Sequence, residues 1–225
     1  MDDEKLAPAQ TLAGYDRWAK TYDATPNPLV AATAWVLDRA PLACAGADVI
    51  ELGCGTGRNA KRALDEGARS YTGVDGSRGM LDLARSATTN ECASWIEADL
   101  LVPWQPPRLY DLALVVLVLE HLAELDTLAK TLAHAVRAGG RCRIVDLHPD
   151  RIEEGAVAHF KDGPREVVFP SIAHPVAEVR AALERVGFTV EIEEWIADDA
   201  LIAAVPKAAK YRGRPLVLDV RATRR

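Results

Sequence analysis

Glu51-Leu-Gly-Cys-Gly-Thr-Gly-Arg-Asn59 is the stretch on which the fold turns. It follows a short apolar run, Ala47-Asp-Val-Ile50, and precedes a helix-like segment. An acidic residue closes a strand, and Gly53, Gly55 and Gly57 turn the chain into a helix. Glycine reaches φ > 0 and carries no Cβ, so the backbone here can press against a ligand. The following helix then aims its N-terminal amides at that ligand. The stretch reads as a loop for a nucleoside cofactor; a glycine-rich turn without a ligand is the plainer alternative.

The dinucleotide fingerprint G-x-G-x-x-G would need a third glycine at position 58, which is Arg58. The pattern is instead E-x-G-x-G-x-G. A carboxylate at Glu51 suits a cationic ligand group, whereas a pyrophosphate would repel it.

Outward from this loop, helical spacing covers 9–39, with Tyr15, Trp18, Ala19 and Tyr22 in register and Pro26 and Pro28 as interruptions. Strands are expected at 48–52, 70–74, 93–96, 111–117, 141–147, 188–196 and 216–220. Helices are expected at 56–66, 77–86, after the fourth strand to about 136, and at 176–185. Gly139-Gly140 reads as the turn into the fifth strand. Alternating strands and helices imply right-handed βαβ units and a parallel sheet. The continuous apolar run Leu112-Ala-Leu-Val-Val-Leu117 fits a strand covered on both faces. Residues 197–214 carry no long helix, so the last strand is expected to be antiparallel. Between 148 and 170 the periodicity fades around Gly155, Gly163, Pro164 and Pro170, which reads as an inserted lid.

At 225 residues, with 49% apolar and 27% charged, one α/β domain is expected. The net charge of −6 argues against a nucleic-acid partner. The basic end, Arg221-Ala-Thr-Arg-Arg225, is either a local patch or a solvated tail. Cys44, Cys54, Cys92 and Cys142 form no C-x-x-C pair, so neither zinc nor redox chemistry is suggested, and no metal ligands cluster. The acidic N-terminus lacks an apolar signal core, and residues 112–119 are too short to span a bilayer. A cytoplasmic protein without a membrane segment is expected, monomer or homodimer.

In an open α/β sheet, ligands bind beyond the carboxyl ends of the strands. The second strand ends at Asp75, where an acid can accept from ribose hydroxyls or simply cap a helix. The third leads to Asp99-Leu100, suited to an adenine amino group and ring or to a loop cap. The fourth ends in Leu117-Val-Leu-Glu-His121.

Together these features resemble the class I S-adenosylmethionine-dependent methyltransferases, in particular the small-molecule branch typified by ubiquinone and menaquinone biosynthesis. The resemblance rests on Val49-Ile-Glu-Leu-Gly-Cys-Gly-Thr-Gly57, Gly73-Val-Asp-Gly-Ser-Arg-Gly-Met-Leu81, Ala98-Asp-Leu100, Tyr110–Leu122 and Arg137–Asp146. It implies a Rossmann-like, seven-stranded, mostly parallel sheet of order 3-2-1-4-5-7-6, strand seven antiparallel, with helices on both faces. It implies a single domain over 1–225: an N-terminal helical cap (1–44), a cofactor core (45–147) and a lid-like insertion (148–174). The implied cofactor is S-adenosyl-L-methionine, leaving as S-adenosyl-L-homocysteine.

The resemblance also implies residue roles. Gly53, Cys54 and Gly55 meet the methionyl part, and Glu51 orders the loop or meets the ammonium through water. Asp75 holds the ribose; Gly76, Met80, Asp99 and Leu100 line the adenine pocket; Leu117 faces the sulfonium. Tyr15 and Tyr22 either reach the methionine carboxylate or pack their helix.

Methyl transfer from a sulfonium needs the acceptor held in line in a dry site rather than a protein nucleophile. Where the acceptor has an acidic proton, a base helps. His121 and His148 are the candidates, each with pocket-shaping or substrate contact as its alternative. Trp18, His148, His159 and Phe160 are the candidate acceptor contacts, although aromatic residues also pack cores. Strand four lacks an Asn/Asp-Pro-Pro-Tyr turn and a following cysteine, which disfavours base or amide methylation and the cysteine-dependent RNA mechanism. A small-molecule acceptor, methylated at O, N or C, is the leading expectation. Methylation of RNA or protein, and a non-catalytic cofactor-binding module, are the competing ones.

Overall fold

The computed structural model describes residues 3–225; Met1 and Asp2, the first two of the expected cap, lie outside the described residues. The chain starts with a two-residue strand β1 (Glu4–Lys5), then α1 (Thr11–Trp18) and α2 (Pro28–Arg39). Pro28, read from sequence as an interruption, is instead the first residue of α2. Its missing N–H is one of the helix's unpaired donors anyway, and Asn27 Oδ1 caps the helix by accepting from Leu29 N at 2.9 Å.

The core alternates as expected: β2 (Asp48–Leu52), α3 (Arg58–Asp65), β3 (Ser70–Asp75), α4 (Arg78–Ala87), β4 (Ala93–Glu97), β5 (Tyr110–Val116), α5 (Leu125–Ala135) and β6 (Val136–Leu147). There follow α6 (Pro149–Glu153), the hairpin β7 (His159–Asp162) and β8 (Arg165–Val168), α7 (Val176–Arg185), β9 (Phe188–Ile196), α8 (Asp199–Ala204) and β10 (Pro215–Arg224).

Seven strands form one sheet in the order β4-β3-β2-β5-β6-β10-β9. Pairing is parallel from β4 to β6, and β10 is antiparallel to both β6 and β9. Counted along this sheet alone, that is the expected 3-2-1-4-5-7-6 with strand seven reversed. Side-chain alternation splits the core between the faces. Ile50, Leu52, Ala113 and Val115 join α5 and α7 on one side. Val49, Leu112 and Leu114 join α2, α3 and α8 on the other. Burying each large aliphatic side chain contributes about 1.5–3 kcal/mol relative to exposure. Among the described residues no helix is long and apolar enough to cross a membrane.

Three further features add to or depart from the sequence reading. β6 begins at Val136, so Gly139-Gly140 lies within the strand at an irregularity in its pairing with β5; Gly139 takes φ 72° there. The basic C-terminal residues are not a tail. Arg221 to Arg224 belong to β10, where Arg221 pairs with Glu193 at 2.8 Å. The segment after 148, where the periodicity fades, contains a helix and a hairpin. Its hairpin turns at Gly163 (φ 59°) and Pro164, and β8 pairs in parallel with β1 to make a separate three-stranded sheet. Under that sheet Trp18, Phe160 and Phe169 share a small apolar cluster.

Candidate functional site at the sheet's C-terminal edge

β2 delivers the glycine loop to the middle of this edge. Gly53 N and Cys54 N both donate to Val74 O, at 2.8 and 3.0 Å, which ties the loop to β3. Gly53 and Gly55 take φ 76° and 54°, the left-handed region that favours glycine. Their surroundings differ. A Cβ on Gly53 would lie 2.4 Å from Val118 Cγ2, whereas one on Gly55 would meet nothing within 4 Å. Gly53 is therefore required by packing, and Gly55 bares its backbone to open space.

Asp75, at the end of β3, binds the loop from the other side. Its Oδ2 accepts from Gly55 N and its Oδ1 from Ser77 N, both at 2.8 Å. Burial raises its pKa, and these two amides oppose the rise. Ser77 in turn caps α4 and donates to Asp16 Oδ1 at 2.6 Å. Asp16 also accepts from Gly79 N, and Asp23 accepts from Thr56 Oγ1. These bonds fasten the N-terminal helices across the loop.

Glu51 is used inside the fold. Its side chain is 1% exposed; Oε1 accepts from Asn59 Nδ2 at 2.7 Å and Oε2 accepts from the Tyr71 hydroxyl. Burial pushes its pKa up to about 7, against the pull of those two donors. Between the ordinary carboxylate value and about 7, the folded chain keeps a proton that the unfolded chain has lost. Stability from this group is therefore full below about 4.5 and falls as pH rises towards 7, by roughly 3 kcal/mol at 1.36 kcal/mol per unit. We expect Glu51→Gln to remove this fall. The variant's Tm, measured against wild type, should gain several degrees between pH 5 and pH 7.5; a constant difference would refute the buried proton.

The turn after β5 is held under strain. Leu117 takes φ 56°, a left-handed conformation costing on the order of 1–3 kcal/mol in a non-glycine residue. Asp146 on β6 clamps it: Oδ2 accepts from Val118 N and Leu119 N, both at 2.9 Å. Burial raises the Asp146 pKa to about 6.

Three cavities meet around this turn. The first, about 100 Å³, lies between α1 and the ends of β2, β3 and β4; Tyr15, Tyr22, Gly53, Gly55, Asp75, Gly76, Met80, Asp99, Leu100 and His121 line it. The second, about 480 Å³, opens between α2 and α3 and touches Tyr22, Glu51, Gly53, Cys54, Gly55 and Leu117. The third, about 600 Å³, is bounded by α1, the start of α2 and the late connections. Tyr15, Trp18, Tyr22, Leu117 and His159 line it, and Tyr22 borders all three. Most residues singled out from sequence are thus brought together. Phe160 sits one layer back, stacked on Trp18 at 5.3 Å.

His148 lines none of these cavities. It is 3% exposed; Nδ1 accepts from Asp150 N at 3.3 Å to cap α6, and Nε2 lies 3.3 Å from Glu194. His121 reaches the first cavity but is engaged by Tyr15, whose Oη is 2.6 Å from Nε2. Burial lowers the His121 pKa to about 4, so the ring is neutral at pH 7. Tyr15, its pKa raised by burial, stays protonated and donates to Nε2.

Sequence reasoning missed several lining residues. Thr11 and Leu12 line the first cavity; continuing the Tyr15 face back one turn would have reached them. Thr11 Oγ1 is buried without a partner. Lys207, Lys210 and Tyr211 line the third cavity, and no periodicity marks them; Glu120, within the Leu117–His121 stretch read from sequence, lines it too.

A family model described as a methyltransferase domain matches residues 49–140. AN0656, an uncharacterized methyltransferase of Emericella nidulans, is 31% identical over 232 residues, covering 84% of this chain and 79% of its own. Among solved structures, an S-adenosylmethionine-dependent methyltransferase from Mesorhizobium loti is similar with a TM-score of 0.73 and 28% identity, over 87% of this chain and 100% of that one. DhpI in complex with S-adenosylhomocysteine shares the fold, with a TM-score of 0.69 and 22% identity over 96% and 95% of the two chains.

Proposed function

The chain belongs to the class I S-adenosylmethionine-dependent methyltransferases, and from that premise we propose that it methylates an O, N or C atom of a small molecule. The observation that carries this reading is the third cavity. It shares Tyr15, Tyr22 and Leu117 with the two cavities around the glycine loop. Its volume of about 600 Å³ suits a compact ligand better than a nucleic-acid or protein chain, and the net charge of −6 agrees.

The residues present fit the cofactor. Gly55 leaves open space above its backbone, and the buried Thr11 hydroxyl has an unused hydrogen bond. Asp75 and Asp99 offer carboxylates at successive strand ends in one cavity, suited to ribose hydroxyls and an adenine amino group. S-adenosylmethionine, when bound, supplies an electrophilic methyl group on a sulfonium. The chain's own part is to exclude water and fix the acceptor, through Leu117, Val118 and the helices over them. Such positioning contributes on the order of 7–11 kcal/mol of barrier lowering. His121 serves here to position Tyr15, since a ring of such low basicity that is already bonded is a poor proton acceptor.

The division of labour follows. Residues 1–44 act as the cap, 45–147 as the cofactor core and 148–174 as an insertion closing the acceptor side, all within one domain in the cytoplasm.

S-adenosylhomocysteine at 100 times its Kd is expected to stabilise the fold by about 2.7 kcal/mol, a rise of roughly 5–10 °C in Tm. NAD should leave Tm unchanged. A shift with NAD and none with S-adenosylhomocysteine would overturn the reading. A labelled-methyl screen of metabolites then identifies the acceptor.

A further inference from the structure

The third cavity contains a carboxylate that the cofactor side does not use. Glu120 follows the strained turn at Leu117 and is 4% exposed. Its Oε2 accepts from Ser171 Oγ at 2.6 Å. No lysine or arginine lies within ion-pair distance among the described residues, and neutral His121 is 3.8 Å away at Nε2. A buried carboxylate without a cation is costly, and such a group in a cavity invites a donor from the ligand. At the outer part of the same cavity, Lys207 and Lys210 are exposed. Neither has a carboxylate within ion-pair distance among the described residues; Lys210 Nζ lies 4.6 Å from the Tyr211 ring. Glu154, the acid beside them, is neutralised by Arg151 and Arg214, both at 2.7 Å. The rest of the lining is mostly apolar or aromatic.

We propose that Glu120 is the acceptor-side catalytic residue, taking the proton of an acceptor O–H or N–H as the methyl arrives. The acceptor is a small apolar-bodied molecule whose anionic group is held by Lys207 and Lys210. This rests on the methyltransferase reading above. The bond from acceptor oxygen or nitrogen to carbon forms as the sulfonium carbon–sulfur bond breaks, sulfur keeping the electron pair. The acceptor proton passes to a Glu120 oxygen, so charge and atoms balance. The groups facing Glu120 are Tyr15 from α1, His121 on its own turn, Asp146 from β6, and Ser171 with the Ala158 amide from the late segment. None is cationic at pH 7, and burial raises the Glu120 pKa, which strengthens it as a base.

The test uses the full chain, labelled S-adenosylmethionine, and medium-chain hydroxy- and amino-carboxylates beside their methyl esters. The acids, and not the esters, should add to the Tm of the S-adenosylhomocysteine complex, and label should pass to an acid. Lys207→Ala/Lys210→Ala should abolish the preference for acid over ester. Glu120→Gln should slow transfer at least ~100-fold and erase the acid limb of the pH–rate profile. Its S-adenosylhomocysteine Kd should stay within about twofold, because Glu120 does not line the cavity holding Asp75 and Gly55. Ser171→Ala, which removes only the neighbouring hydroxyl, should cost less than about tenfold. Transfer to esters as readily as to acids, label on none of the acids, or an acid limb surviving in Glu120→Gln would each overturn the proposal. Failure of wild type to bind S-adenosylhomocysteine would instead strike the methyltransferase reading.

Discussion

Asp219→Ala is expected to lower the unfolding free energy by about 3–5 kcal/mol, the cost of leaving a buried charge without its partner. Asp219 on β10 is fully buried and holds Arg143 on β6 through two bonds, Nε to Oδ1 at 3.0 Å and Nη2 to Oδ2 at 2.9 Å. The same guanidinium donates to the carbonyls of Ala40 and Pro41, so it ties the sheet to the chain leaving α2. Removing the carboxylate leaves Arg143 buried and charged with only carbonyls to meet it. Against a total stability of about 5–15 kcal/mol for a typical domain, this is a large fraction. Replacing the buried pair by apolar residues, as in Arg143→Met/Asp219→Leu, should cost less than the single change, because the buried uncompensated charge goes too, while the half-exposed Arg221, which also donates to Asp219 Oδ2 at 2.7 Å, keeps Glu193. Urea unfolding with an unchanged slope reads both effects. A loss below about 1 kcal/mol for Asp219→Ala would show that water reaches the guanidinium.

Asp75→Ala is expected to raise the Kd for S-adenosylhomocysteine at least tenfold, equivalent to about 1.4 kcal/mol or more. The carboxylate orders the loop through Gly55 N and Ser77 N and, on the reading above, accepts from the ribose. A hydrogen bond to a charged group is worth about 1.5–3 kcal/mol, so one lost contact suffices. Gly55→Ala separates binding from folding. Its left-handed backbone costs ~1–2 kcal/mol in an L-residue, but the new methyl meets no protein atom. Cofactor affinity should therefore fall further than stability does. Gly53→Ala should show the reverse emphasis, because its methyl would strike Val118. Isothermal titration beside thermal unfolding separates the three. An unchanged Kd in Asp75→Ala would remove that residue from the site.

The residues gathered around the first cavity were legible because their signals are local. A glycine that must take φ 54° and an acid that ends a strand are requirements of a few adjacent residues. Strand ends then line up automatically at one edge of a parallel sheet. The hairpin after His148 was not legible. Its strands are four residues each, too short to show alternation, and β8 gains its second partner from β1, at the far end of the chain. His148 illustrates the same limit. A histidine just past a strand end points to the functional edge on sequence grounds, yet its ring caps a helix through Nδ1 and lies buried beside Glu194 on β9, away from the three cavities.

The sequence by itself determined the alternation of strands and helices and the glycine bend, since each depends on periodicity or on backbone angles set by neighbouring residues; the order of strands came from the family resemblance and agrees with the sheet observed. Only the tertiary structure decided what lines the third cavity. Glu120, Lys207, Lys210 and the N-terminal aromatics come from segments without shared periodicity, and they meet because β6, β10 and the helices over them are packed at one edge. Burial, which no single segment controls, then settled which ring is neutral and which carboxylate stands without a cation.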